Sequence, residues 1–162
     1  MSETKDSFVL EVQSTKARCP VGERVAGEAL RQGKIPVLSC EGACIRGEIA
    51  RLAANLLAKE NGYRRACHGE LLALPDSAMA KWVKQAEKVV LIDGCFLRCQ
   101  GRMLENLVDN RKLVQFDALS HYKKYTDRFD IDSVPEEERL QTAKSVADWV
   151  SAGLAKDAAP RP

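Results

Sequence analysis

The sequence has no long apolar run, little net charge and only two histidines. No stretch approaches the roughly 18 apolar residues of a membrane-spanning helix, and the polar segment Met1 to Ser7 lacks the apolar centre of a secretion signal. The 25 basic and 23 acidic side chains leave a net charge of +2, which does not favour bulk binding of nucleic acid or an anionic membrane. We therefore expect a cytoplasmic protein that binds neither.

The length of the chain bounds its organisation. At 162 residues it is most simply one domain, and a chain of this size buries about 70% of its unfolded surface without help from a disulfide or a metal. Changes in pattern divide it into an N-terminal extension (1–34), an α/β core (35–116), a loop with a C-terminal helix (117–155) and a tail (156–162).

Short apolar runs predict the strands. Ile35 to Ser39, Val89 to Ile92 and Leu113 to Phe116 are rich in aliphatic and β-branched residues and end at polar or glycine-containing turns, which is typical of buried strands. The shorter segment Tyr63 to Ala66 is predicted as a fourth strand. Phe8 to Val12 alternates apolar and charged residues and is a candidate edge strand.

Helical periodicity fills the intervals between these strands. Apolar residues recur at i, i+3, i+4 and i+7 spacing, and glycine, proline or serine marks the helix ends. Strands that alternate with helices predict a single-domain, three-layer α/β/α fold with a mainly parallel, Rossmann- or flavodoxin-like sheet. The predicted helices are Val21 to Gln32, Ile45 to about Asn61, Ser77 to Ala86, Met103 to Val108 and Glu136 to Leu154.

Six cysteines need a chemical explanation. In a cytoplasmic chain they are kept reduced, so they are expected to be metal ligands, catalytic thiols or buried small side chains. The pairs Cys40–Cys44 and Cys95–Cys99 each lie in a turn between a predicted strand and a predicted helix. Turn positions argue against simple burial of these thiols, whereas Cys19 stands apart and is interpreted as a packing or surface residue.

The expected topology brings the two cysteine turns together. In the flavodoxin-like strand order 2-1-3-4, the strands ending at Cys40 and Cys95 are neighbours, about 4.8 Å apart. Sulfurs around tetrahedral zinc lie roughly 3.8 Å from one another, so a shared metal site is feasible. Each turn precedes a helix N-terminus, which favours thiolate over thiol, and Arg46 and Arg98 are placed to offset the charge of a four-thiolate zinc site.

These turns resemble a known family. The run Val89 to Cys99, which contains Asp-Gly-Cys and a second cysteine four residues later, and the turn Ser39 to Ala43 are similar to the DGC-domain family of zinc-binding proteins. The likeness covers about 35–116 and implies a zinc site of four cysteines on an α/β fold. Cys44 stands where the family has a serine-containing turn, which leaves open whether it or Cys67 is the fourth ligand. The implied metal ligands are Cys40, Cys67, Cys95 and Cys99, with Cys44 as the alternate.

A second interpretation comes from the first turn alone. Cys40 and Arg46 form a C-x5-R arrangement between a strand and a helix, which resembles the phosphate loop of low-molecular-weight tyrosine phosphatases and thioredoxin-coupled arsenate reductases. The resemblance implies Cys40 as nucleophile, Arg46 with backbone N–H groups as an oxyanion site, and an acid such as Asp130. It leaves Cys95 and Cys99 without a role.

A third interpretation keeps the thiols and changes the cofactor. Four thiolates also hold iron-sulfur clusters, and a disulfide relay between Cys40 and Cys95 would need no metal. The sequence therefore predicts Zn²⁺ as the cofactor, with an iron-sulfur cluster as the alternative. Metal or thiol handling, or sensing, is the function expected of such a site, and the sequence names neither a substrate nor a protein partner.

Overall fold

Four parallel strands form the central layer of the molecule. A computed structural model describes residues 6–157, and the strands pair in the order β2-β1-β3-β4. This order confirms the flavodoxin-like topology expected from the sequence, so the strand that leads to Cys40 is the direct neighbour of the strand that leads to Cys95. The strands are β1 (Ile35–Ser39), β2 (Tyr63–Arg65), β3 (Val89–Asp93) and β4 (Leu113–Asp117).

The register brings the carboxyl ends of the strands to one level. Ser39 of β1 pairs with Ile92 of β3, and Asp93 of β3 pairs with Asp117 of β4. All five residues of β3 are buried. A strand covered on both faces has no need of alternating polar residues, which explains its continuous apolar run.

Helices connect the strands as the periodicity predicts. Ser77 is the N-cap of the helix that precedes β3, and its Oγ accepts a hydrogen bond from the N–H of Ala80 at 3.1 Å. Along residues 6–157, no helix has the length and apolar character needed to cross a membrane. The described helices are α1 (Pro20–Arg31), α2 (Ile45–Leu57), α3 (His68–Ala73), α4 (Ala78–Gln85), α5 (Cys99–Leu104), α6 (Ala118–Tyr122), a 3₁₀ helix (Ile131–Ser133) and α7 (Glu136–Asp157).

Both faces of the sheet are covered. On one face, α2 and α7 pack together over Val37 and Val90. On the other face, α1 and α4 pack together over Leu38 and Leu91. Successive strand residues point to opposite faces, so the sheet is the middle layer between two apolar cores. The predicted three-layer α/β/α fold is confirmed.

The segment Phe8 to Val12 does not form the edge strand that its alternation suggests. Among the described residues it pairs with no strand and forms no regular secondary structure. Alternation over five positions favours a strand-like conformation but does not select a neighbour. The prediction of an edge strand is therefore wrong for this chain as described.

The polar stretch after β4 holds more structure than predicted. In place of a loop over 117–132, the chain forms α6 and the 3₁₀ helix. Asp117 caps α6, because its carboxylate and its carbonyl accept hydrogen bonds from the N–H and the hydroxyl of Ser120. The helix α3 was not predicted either. Both helices have only five or six residues, too few to display a helical period.

Two helices end earlier than their periodicity predicts. α2 ends at Leu57 and not near Asn61. The N–H of Ala58 still donates to a carbonyl four residues back, but the N–H groups of Lys59 and Glu60 donate to carbonyls three residues back, as in a 3₁₀ turn. α5 ends at Leu104 although the N–H of Val108 still reaches the Leu104 carbonyl. The last residues of the predicted tail, 158–162, lie outside the described part of the chain.

Candidate metal centre

The carboxyl edge of the sheet carries the predicted ligands. Cys40 follows β1 directly, whereas Cys67 follows β2 and Cys95 follows β3 by two residues. Cys99 is the first residue of α5, and Cys44 is the N-cap of α2. All of these cysteines are free thiols. Three adjacent strands therefore deliver a thiol to the same edge.

Cys19 lies at this edge as well, which its sequence position did not predict. It is the N-cap of α1, and because α1 leads into β1, its N-terminus lies at the carboxyl end of the strands. The Cys19 Sγ accepts a hydrogen bond from the N–H of Gly22 at 3.3 Å. This thiol is therefore a helix cap. The Pro20 at the first helical position is the signal that marks the cap.

Cys40 is held firmly at the end of β1. Its N–H donates to the carbonyl of Ile92 at 2.9 Å, which extends the pairing with β3 by one residue. The N–H of Gly42 donates to its Sγ at 3.4 Å. Burial raises the pKa of the Cys40 thiol, although the N–H groups of Gly42 and Gly94 oppose that effect. Cys40 is accordingly the less acidic thiol of its turn.

Cys44 has the opposite electrostatic environment. Burial alone would raise its pKa, but the N–H of Gly47, the N–H of Arg46 and the Arg46 guanidinium together hold the pKa of the Cys44 thiol below its ordinary value. These donors belong to the first turn of α2, where the helix dipole also favours a negative charge. The turn therefore pairs a thiol whose pKa is raised with one whose pKa is lowered.

Asp93 organises the second cysteine turn. Its side chain is 1% exposed, and its Oδ1 accepts a hydrogen bond from the N–H of Gln100 at 3.2 Å. Burial raises the pKa of this carboxyl, while the N–H groups of Gln100 and Gly101 lower it. These bonds join the end of β3 to the start of α5. The intervening loop leaves Phe96 and Leu97 exposed.

Two glycines allow the cysteine turns to approach each other. A Cβ atom on Gly94 would lie 2.9 Å from the carbonyl carbon and oxygen of Arg46, and one on Gly47 would lie 2.5 Å from the carbonyl oxygen of Gly42. Real Cβ atoms do not come this close to backbone. The glycine of the Asp-Gly-Cys sequence is therefore required by the contact with α2, a reason that sequence analysis did not find.

Glu41 ties the first turn to the end of β2. The hydroxyl of Ser39 donates to its Oε1 at 2.7 Å, and the guanidinium of Arg65 donates to the same oxygen at 2.6 Å. Arg65 also donates to the carbonyl of Val37. These bonds hold the segment before Cys67 beside the turn that carries Cys40. Neither Glu41 nor Arg65 was recognised in the sequence, because the bond between them spans 24 residues.

Tyr122 is a further residue of this edge that the sequence did not reveal. It lies at the end of α6, and within the described residues its buried hydroxyl has no hydrogen-bond partner. Burial raises its pKa far above the ordinary value, while the charge of Arg46 lowers it. Cys44 and Cys95 also act on this phenol through their charges. Tyr122 therefore belongs to the surroundings of both cysteine turns.

The positions of the thiols do not yet make a metal site. Within residues 6–157, no three His, Cys, Asp or Glu side chains lie close enough together to hold a metal ion. Cys67 and Cys95 follow strands separated by β1, about 10 Å apart at the usual strand spacing, whereas sulfurs on one zinc ion are roughly 3.8 Å apart. The donor set has the chemistry that zinc prefers but not the geometry.

The C-x5-R interpretation finds little support in the first turn. An oxyanion loop needs free N–H groups at the helix start, but the N–H of Ile45 donates to the carbonyl of Phe129 at 2.9 Å. The pKa of Cys40 is raised by burial, the reverse of what a nucleophilic thiol requires. Asp130 is exposed. The use of Cys40, Arg46 and Asp130 stays a prediction that this geometry does not favour.

The fold and the site define a class, a parallel α/β protein with thiols gathered at the carboxyl edge of its sheet. The sequence model of the DGC domain matches residues 36–142, most of the chain, and the protein belongs to that family. The match extends beyond the likeness seen over 35–116 and takes in α6 and the start of α7. No curated protein and no solved structure matches the chain. Membership of this family is consistent with binding of a metal.

Proposed function

We propose that the protein binds a zinc ion through cysteine thiolates at the carboxyl edge of its sheet and handles or senses the metal. The observation that carries the proposal is the arrival of a thiol after each of three adjacent strands, β2, β1 and β3. Soft thiolate ligands favour zinc over hard cations. The proposed ligands are Cys40, Cys67, Cys95 and Cys99, with Cys44 as the alternate to Cys67.

The ion would draw its ligands together. Cys67 and Cys99 are exposed, and Cys95 lies in a loop whose neighbours Phe96 and Leu97 are exposed as well. Such a loop can move towards Cys40 at a small cost in packing. At protein metal sites, binding of the metal is commonly coupled to ordering of the segments that carry the ligands.

Exchange of the metal is the function that suits this arrangement. The two apolar cores are built from side chains other than the proposed ligands, of which only Cys40 packs against a core, and a chain of this length can fold on such cores without a metal. A purely structural zinc site contributes folding energy outright, whereas a site assembled from a loop can bind and release its metal. In a reducing cytoplasm the thiols would stay available for this purpose.

Titration with cobalt tests the ligand set. Co²⁺ bound by several thiolates should give a sulfur-to-metal charge-transfer band and the intense visible bands of a tetrahedral ion, and zinc should displace both. Cys95→Ser and Cys99→Ser should each weaken binding by more than the roughly 10- to 100-fold typical of losing an outer-shell partner. Cys19→Ser is the matched control and should leave binding unchanged, because Cys19 caps α1.

The same titration decides between the alternates. If Cys67→Ser abolishes the tetrahedral spectrum and Cys44→Ser does not, Cys67 is the fourth ligand. The converse result assigns Cys44. Full binding by both Cys95→Ser and Cys99→Ser would contradict the proposal. Iron with acid-labile sulfide in protein isolated without oxygen would support the iron-sulfur alternative instead.

A further inference from the structure

Arg98 lies between the proposed ligands Cys95 and Cys99 in an unusual backbone conformation. Its φ of 50° and ψ of 46° are left-handed, a region that costs free energy for any residue with a Cβ atom. Glycine is the residue that usually occupies this conformation. Strain of this kind persists only where the surrounding structure holds it, so contacts of Arg98 have to hold the loop of residues 95–98 in place.

The guanidinium of Arg98 supplies these contacts. Its Nε donates to the Oε1 of Gln115 on β4 at 3.0 Å, and its Nη2 donates to the same oxygen. The Nη2 also donates to the Oε1 of Glu105, the C-cap of α5, at 2.9 Å. Hydrogen bonds in which one partner is charged are stronger than neutral ones. One side chain therefore joins the loop both to the sheet and to the end of α5.

The other hydrogen bonds of this loop are local. The N–H of Arg98 donates to the carbonyl of Cys95 at 3.0 Å, and the Nε of Arg102 donates to the carbonyl of Leu97 at 2.8 Å. Both bonds join residues no more than five positions apart, so they can move with the loop. Within residues 6–157, the bonds from Arg98 to Gln115 are the only hydrogen bonds that tie residues 95–98 to a strand of the sheet.

Gln115 reaches Arg98 because Gly101 leaves room for it. A Cβ atom on Gly101 would overlap the Oε1 of Gln115 and would lie 3.0 Å from the Oδ2 of Asp93. Any larger residue at position 101 would therefore displace the amide that accepts from Arg98. The contact of Arg98 with β4 is built from three separate parts of the chain: the loop, α5 and β4.

Opposing effects act on this contact. The hydrogen bonds of the guanidinium favour the held loop, whereas the left-handed backbone of Arg98 opposes it. The side chain of Arg98 is 42% exposed and that of Glu105 is 28% exposed, so water screens the ion pair and competes for it. Release of the loop would relieve the strained backbone and would break neither apolar core, because residues 95–98 belong to neither.

We infer that Arg98, with Gln115 and Glu105, is a latch that holds the loop in a metal-free arrangement and thereby sets the affinity for zinc, an inference that rests on the proposed zinc site. Within residues 6–157, no three potential ligands lie close enough together to hold a metal ion, so the latched loop is not the binding arrangement. A metal that binds only the released loop has an apparent affinity reduced by the fraction of chains that are released. Closing of the latch favours release of the metal.

Two substitutions weaken the latch with little change in side-chain size. Arg98→Lys keeps the positive charge but cannot form the forked contact, and Gln115→Met removes the acceptor oxygen. Each should lower the Kd for Zn²⁺, measured by competition with a chromophoric chelator, by about three- to tenfold. A residue that only stabilised the zinc site would change the Kd in the opposite direction. Arg111→Lys, which alters an exposed ion pair with Asp109, is the matched control and should leave the Kd unchanged.

Hydrogen exchange of the metal-free protein, with a chelator present, tests the latch independently of zinc. Peptides that cover residues 95–100 should exchange faster in Arg98→Lys and in Gln115→Met than in the unaltered protein or in Arg111→Lys. Unchanged exchange in both latch variants, or zinc binding that both of them weaken, would overturn the inference. Faster exchange in variants of a protein that takes up no zinc would contradict the proposed function and support the latch alone.

Discussion

Replacement of Gly94 by alanine perturbs the contact that joins the two cysteine turns. The added Cβ would lie 2.9 Å from the carbonyl carbon and oxygen of Arg46 and 3.0 Å from the nitrogen of Gly47. All three are backbone atoms of α2, so no side-chain rotation can relieve the overlap. The end of β3 and the start of α2 must separate, and each is held in a close-packed interior.

The expected cost follows from this geometry. Overpacking of a rigid buried contact costs about 1–3 kcal/mol, and three simultaneous backbone overlaps place Gly94→Ala near the middle of that range or above it. A loss of about 2 kcal/mol corresponds to a fall in Tm of about 4–8 °C for a chain of this size. The separation should also weaken zinc binding, because Cys95 would move away from Cys40.

Urea unfolding followed by circular dichroism, with a metal chelator present, measures the effect on stability. The midpoint should fall with an unchanged slope. Gly27→Ala is the matched control in α1, where the added Cβ would meet only the end of the Arg31 side chain at 3.4 Å. It should raise the free energy of unfolding by about 0.5–1 kcal/mol. A Gly94→Ala protein as stable as the unaltered one would refute the reasoning.

Three further predictions concern two core residues and Tyr122. Leu91→Ala should lower the free energy of unfolding in urea by about 2–5 kcal/mol, because Leu91 is fully buried in β3. A loss under about 1 kcal/mol would contradict its placement in the core. Trp82→Phe should cost about 1–3 kcal/mol in thermal unfolding, because the indole N–H donates to the carbonyl of Lys34 at 2.8 Å; an unchanged Tm would show that this bond is not made. Burial raises the pKa of Tyr122 above its ordinary value of 10.0, so an alkaline spectrophotometric titration of the folded protein should show a phenol that ionises late. The phenol of the unfolded chain ionises at a lower pH than the buried one, so stability that is present below pH 10 is lost as the pH rises further. Tyr122→Phe should reduce that loss. Identical profiles of stability against pH for the two proteins would contradict this prediction.

The fold could be predicted from the sequence where burial leaves a strong local pattern. β1 and β3 are covered on both faces, so each appears as an uninterrupted apolar run between turns. Their adjacency followed from the topology typical of α/β proteins with alternating elements. The segment Phe8 to Val12 shows the limit of such patterns, because alternation favours a strand but does not supply a neighbouring strand for it to pair with.

The thiol edge could be predicted only in part. Cysteines that follow parallel strands lie at one edge of the sheet, and the strands that precede Cys40 and Cys95 are neighbours as predicted. The distances between the thiols depend instead on contacts between residues far apart in sequence, such as Gly94 with Arg46 and Glu41 with Arg65. No local pattern encodes those contacts. Tyr122 escaped notice for the same reason, since its helix is too short to be periodic.

The metal content of protein purified without oxygen and without a metal-affinity column tests the central claim most directly. Elemental analysis should find about one zinc ion per chain, as expected for a four-cysteine site, and several thiols should react only after chelation. Zinc should be lost from the Cys95→Ser/Cys99→Ser double variant and retained in Cys19→Ser. A protein that contains no metal and cannot take up zinc, or a double variant that keeps its full zinc content, would contradict the account.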